Sequence, residues 1–175
     1  MSGRQEVKLD LPIKILSEEQ NTRKEILSGT SATNKEITDA LREKANIHHR
    51  NIVRIISSRL KASGIEPMSN MYIDICCLGE APLLFEVKSC NNTNILSQVR
   101  KAVSQLYEYR YRHQKLLNAK LIIALETKPI GEKEWLIDYL FNDRDILLCW
   151  LEGDENLVCT TDSYDILKEI ISYQV

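Results

Sequence analysis

Asp74, Glu86 and Lys88 are the residues whose types and spacing could do chemistry, and all three lie in MYIDICCLGEAPLLFEVKSC, Met71 to Cys90. Carboxylates projecting from neighbouring strands are hard oxygen ligands suited to Mg²⁺, which keeps several waters and bridges to phosphate oxygens. Glu86 and Lys88 are two apart, so on a strand both side chains leave the same face. A lysine beside a metal-bound water can orient it, help take its proton, or offset charge developing on a phosphate. Three ionisable groups on such apolar strands are costly unless paired or bound to a cation. The bland alternative is a carboxylate–lysine ion pair at a sheet end.

The elements that must hold these groups can be read from periodicity. Met71, Ile73 and Ile75 alternate with Tyr72, Asp74 and Cys76, which predicts a strand, and Leu83 to Val87 reads as a buried strand. Gly79 lies in the short connection between them, so a hairpin is expected. A helix from Asn94 to about Leu117 follows. Ile95, Val99, Val103 and Leu106 form its core stripe, with Gln98, Ala102, Gln105, Tyr109 and Arg112 on a second line. Gln105 and Tyr109 point the same way and can reach the metal site, to hold the attacking water, a ligand carboxylate or a phosphate. Arg112 extends that line outward; a polar flank on a core helix is the competing view.

Ile73-Asp74, Phe85-Glu86-Val87-Lys88 and Gln105-Leu-Tyr-Glu-Tyr109 together resemble the PD-(D/E)XK nuclease superfamily. Asp74 matches the first acid, Glu86 the second and Lys88 the lysine, while Gln105 and Tyr109 match a Gln-x-x-x-Tyr helix motif. The resemblance spans about Ile47 to Leu151. It implies an α/β restriction-endonuclease-like fold, a mixed central sheet flanked by helices, and Mg²⁺- or Mn²⁺-dependent endonuclease hydrolysis of phosphodiester bonds in DNA, less often RNA. Restriction, phage defence or DNA repair are the settings such an activity would serve. Asp74, Glu86 and the Val87 carbonyl are then the expected metal ligands, and Lys88 sits beside the attacking water. The proline that many members carry before Asp74 is absent, and so is an obvious acid on the first core helix, where Glu43 is the candidate. His49, fifteen residues before Gly64, resembles a histidine of some subfamilies and is expected, with Gln98 and Arg112, to support the site or contact phosphate. A catalytically inactive nuclease-fold module for nucleic-acid binding or assembly is the alternative.

The chain has 175 residues, 43% hydrophobic and 27% charged, enough for one soluble domain with a substantial core. No apolar run is long enough to cross a bilayer and no signal-peptide core is seen, so a cytoplasmic protein without membrane association is expected. Five cysteines, with no Cys-x-x-Cys pair, fit buried thiols better than a disulfide frame or zinc site. The net charge of −2 weighs against a generic nucleic-acid binder. Ile95 to Lys120, however, holds six basic residues against Glu108 alone, while Glu132 to Glu169 holds eleven acidic and three basic ones. Such asymmetry can focus a phosphate backbone onto one face, or be no more than a solvated helix face.

Residues 1–33 read as an extension: Val7, Leu9, Leu11, Ile13 and Ile15 alternate as an edge strand of the same sheet, with Pro12 at an edge or bulge, and a loop closes it at 28–34. Residues 34–175 form the domain. Asn34 is placed to cap a first helix with apolar or small positions at Ile37, Leu41, Ala45, Ile52, Ile55, Ile56 and Leu60, either unbroken or split near Asn46, and stopped by Gly64. Beyond Leu121 to Leu125, a strand ended by Glu126, come a helix at 132–141, a strand at 146–151 and a helix at 164–173. A homodimer would suit the cutting of both strands of a duplex, but no stretch demonstrates one. No repeat, P-loop or Gly-x-Ser-x-Gly motif is present.

Overall fold

The computed structural model describes residues 13–16, 32–171 and 173–174. A mixed sheet forms its middle layer, and each strand lies beside its neighbour in the chain, in the order β1 to β8. The strands are β1 (Lys14–Ile15), β2 (Met68–Ser69), β3 (Ile75–Cys77), β4 (Leu83–Lys88), β5 (Lys120–Leu125), β6 (Ile146–Glu152), β7 (Asn156–Cys159) and β8 (Tyr173–Gln174). The helices are α1 (Ala32–Ala62), α2 (Ile95–Arg112), α3 (Trp135–Asp138) and α4 (Thr161–Leu167). β1 to β4 and the β6–β7 pair are antiparallel; β4–β5, β5–β6 and β7–β8 are parallel.

Alternation along the strands splits the core in two. Leu121, Ile123 and Leu125 face α2 and α3, packing on Ile95, Val99, Leu106, Leu136 and Leu140. Ile122 and Ala124 face α1 and α4, with Ile52, Ile56, Leu60 and Leu167. One rule of handedness accounts for the layering. Parallel strands are joined by right-handed crossovers; reversal of the chain at the β6–β7 hairpin turns the last crossover, α4, to the opposite face from α2 and α3.

α1 is one unbroken helix. It begins at Ala32, so Asn34 lies inside it instead of capping it. Its end matches the expectation: Gly64 takes φ 77°, Ile65 N–H donates to Leu60 O (2.9 Å) and Gly64 N–H to Lys61 O (3.0 Å), the paired bonds of a Schellman cap. Ile37 and Leu41 of its expected apolar stripe are exposed, and only the part from Ile52 onward enters the core.

Other expectations shift. Val7, Leu9, Leu11 and Pro12 lie outside the described residues; Lys14–Ile15 do pair at the sheet edge, but Ile15 is exposed. The strand around Asp74 begins only at Ile75, because Asn70 Oδ1 accepts the amides of Tyr72 and Ile73 (2.8 Å each) and bends the chain away from the ladder. The β3–β4 hairpin is present, with Gly79 at φ 151°. α2 ends at Arg112 and a short 3-10 turn, Gln114–Leu116, follows. The helix expected at 132–141 is a 3-10 turn, a single α turn and a π turn in succession. β7 and β8 were not anticipated, and the last helix covers Thr161–Leu167.

Candidate functional site

The site forms where β4 ends. Continuing the β3–β4 register by one pair sets Asp74 opposite Glu86. Asp74, 7% exposed, is anchored through both oxygens: Oδ2 accepts the Val87 amide (2.9 Å) and Oδ1 lies 3.3 Å from His49 Nε2. In an extended strand a residue's N–H and C=O leave on the same edge, so the Val87 carbonyl also faces the β3 side.

Glu86 is 0% exposed. The Lys88 ammonium donates to Glu86 Oε1 at 2.6 Å and to Gln105 Oε1 at 2.7 Å, and Gln105 Nε2 donates to Tyr109 Oη at 3.0 Å. Glu86 and Gln105 therefore hold Lys88 from two sides. An ammonium has three donors, and the third has no protein acceptor among the described residues. Tyr109 belongs to the buried core, so the ring that steadies Gln105 is itself fixed. The expected second line on α2 is real as far as Gln105 and Tyr109, although Ala102 and Tyr109 are core residues and Val103 is only partly buried.

Among the remaining candidates, Arg112 turns back onto its own helix, its Nη1 2.6 Å from Glu108 Oε1. Gln98 is half-buried, and its side chain makes no hydrogen bond among the described residues. Glu43 is exposed, six residues or roughly 9 Å along α1 from His49.

Glu126 is the residue the sequence reading missed. It stands one position beyond β5, accepting the Ser89 hydroxyl (2.5 Å) and Cys90 amide (3.0 Å) on Oε2, with His48 Nδ1 2.7 Å from Oε1. Its own amide donates to Lys88 O (3.0 Å). The two adjacent histidines thus each meet a carboxylate, His49 at Asp74 and His48 at Glu126. The signal was available: an acid directly after an all-apolar parallel strand, beside the end of the strand carrying Lys88.

The cysteines are poorly set for nucleophilic chemistry. All five are free and buried. Burial, with Cys77 adding to it at Cys76 and Glu66 at Cys77, pushes both thiols up to about 12. Burial likewise pushes Cys90 and Cys159 up to about 11 and raises Cys149 further. A nucleophilic thiol needs the opposite shift.

Among the described residues, no group of three or more His, Cys, Asp and Glu side chains is arranged to hold a metal ion. Asp74 and Glu86 are the two carboxylates that the hairpin brings side by side. Two carboxylates and one ammonium share surroundings in which an uncompensated charge is costly. That balance suits a hard cation which completes its shell with water and ligand oxygens. No helix of the described residues is long and apolar enough to cross a membrane. Comparison with family models, curated proteins and solved structures finds no match.

Proposed function

We propose that this chain hydrolyses phosphodiester bonds in DNA, with Mg²⁺ or Mn²⁺ held by Asp74, Glu86 and the Val87 carbonyl in a restriction-endonuclease-like domain. The observation that carries the reading is the Lys88 ammonium, fixed between Glu86 and Gln105 with its third donor unclaimed among the described residues. The resemblance to PD-(D/E)XK nucleases at the same residues supports it. A divalent cation would supply Lewis-acid polarisation of the scissile phosphate and lower the pKa of a bound water.

The chain's own residues do the rest. Lys88 would aim its third N–H at the attacking water or at a phosphate oxygen, offsetting the charge that develops there. Gln105 holds Lys88 in that position, and Tyr109 holds Gln105. His49 and the Val87 amide fix the Asp74 carboxylate against rotation. No covalent enzyme intermediate is required.

Plasmid, linear, single-stranded and branched DNA incubated with the pure protein, with and without Mg²⁺, tests this directly. Cleavage should require the metal and be abolished in Asp74→Asn, which keeps an acceptor for the Val87 amide but loses the charge. Full activity in that variant would overturn the assignment. The second reading is a binding or assembly module without hydrolysis. It is favoured by the protein partners that Asp74 and Glu86 already have. Calorimetry with Mn²⁺ separates the two, since only the first needs a site that wild type has and Asp74→Asn lacks.

A further inference from the structure

We infer that the outer flank of α2 carries a second binding site, a pocket for an unpaired nucleobase of single-stranded nucleic acid. It shares with the reading above only the nucleic-acid partner. An open, mainly polar cleft of about 630 Å³ is lined by Tyr107, Arg110, Tyr111, Leu117 and Asn118. Tyr107 and Tyr111 lie two positions from Gln105 and Tyr109, about 200° around the helix, so the pocket faces away from the carboxylates. It lies beside the start of β5, while Glu126 follows that strand's other end, roughly 20 Å away for a strand of this length.

Rings and guanidinium groups alternate across this flank. Arg110 lies over the Tyr107 ring, 5.0 Å from its centroid. The Tyr107 hydroxyl donates to the Arg144 carbonyl. Arg144 lies over the Tyr139 ring at 5.0 Å, and Trp135 meets Tyr139 edge-on at 5.7 Å. Tyr111 is 52% exposed and Trp135 50% exposed. Arg110 and Arg144 have no acidic partner among the described residues, whereas the neighbouring acids Glu108 and Asp145 are taken by Arg112 and Lys120.

Arg144 Nε also donates to the Tyr139 hydroxyl (2.8 Å). Aromatic faces beside cations that no described acid neutralises are what single-stranded nucleic acids bind, base on ring and phosphate on guanidinium. The Asn118 amide adds a donor and an acceptor for a base edge. A duplex, whose bases are stacked inside, offers nothing for these rings to hold.

The test uses the full chain in EDTA, so that hydrolysis plays no part. Fluorescence anisotropy would follow binding of a labelled single strand of about 12 nucleotides, within the span such sites cover. The matching duplex and an abasic strand of equal length serve as probes beside it. Tyr111→Ala and Arg110→Gln should each weaken single-strand binding, roughly 5- to 150-fold for loss of one stacked base, with Tyr111→Phe close to wild type and duplex binding unchanged. Wild type should bind the abasic strand as weakly as Tyr111→Ala binds the intact one. Unchanged affinity in both variants, equal losses on duplex, or no single-strand binding by wild type would each overturn the pocket. A chain that cleaves DNA yet gives one of those results refutes the pocket alone. One that binds through Tyr111 without cleaving refutes hydrolysis alone.

Discussion

Replacing Lys88 with methionine isolates the charge that balances Glu86. Methionine keeps much of the stem and removes the ammonium, so packing changes little. Glu86 is fully buried and its Oε1 lies 2.6 Å from Lys88 Nζ, whose side chain is 14% exposed. Removing one partner of a buried pair costs about 3–5 kcal/mol, because the other charge stays in the interior. Gln105 Oε1 also loses its donor, adding about 1 kcal/mol. Against the 5–15 kcal/mol that typically holds a domain together, this is a severe loss. Removing the charge as well, in Glu86→Gln/Lys88→Met, should restore most of it, leaving a coupling energy of about 2 kcal/mol or more. Urea unfolding followed by fluorescence of the buried Trp150 measures all four corners of the cycle. A Lys88→Met protein within about 1 kcal/mol of wild type would refute the reasoning: the lysine would then not be the counter-charge, and its proposed place beside the water would lose its support.

Three further outcomes are expected. The thiols should resist iodoacetamide at pH 8 in the folded chain and react readily in urea; since Cys76, Cys77, Cys90 and Cys159 hold their protons well above the ordinary 9.0, their stabilisation is complete below pH 9 and is lost as pH rises through about 11 to 12, which alkaline urea titrations would follow. Gly64→Ala should lower stability by roughly 1–2 kcal/mol in urea melts, through the backbone alone, because φ is 77° and an added Cβ meets nothing within 4 Å. Glu126→Ala should cost about 1–3 kcal/mol and speed hydrogen exchange at the Cys90 amide, which now donates to Glu126; unchanged exchange there would show that Glu126 does not fix this junction.

The hairpin, the gathering of Asp74, Glu86 and Lys88 near the end of β4, and the Gln105–Tyr109 pair were legible because they depend on strict local spacing: two along a strand, four along a helix. Reading failed where side chains competed with the ladder. Alternation through Asp74 suggested one straight strand, but Asn70 captures two amides there, and that bend lets Asp74 meet both His49 and the Val87 amide. Glu126 was passed over because its partners are distant in sequence: Ser89 joins it only once β4 and β5 pair in parallel, and His48 only once α1 packs on the sheet. The first half of α1 had the right periodicity for a buried stripe. Burial needs a facing surface, though, and Ile37 and Leu41 have none among the described residues.

Strand order equal to chain order bears on how this protein is made. A nascent chain leaves the ribosome from its first residue, and each new strand meets a sheet whose growing edge is already waiting. β3, β4, α2 and β5 emerge one after another, so the lysine, its glutamate and its glutamine can find one another before β6 and β7 have left the ribosome. The edge exposed at that moment belongs to β5, and β6 is the next strand delivered to cover it.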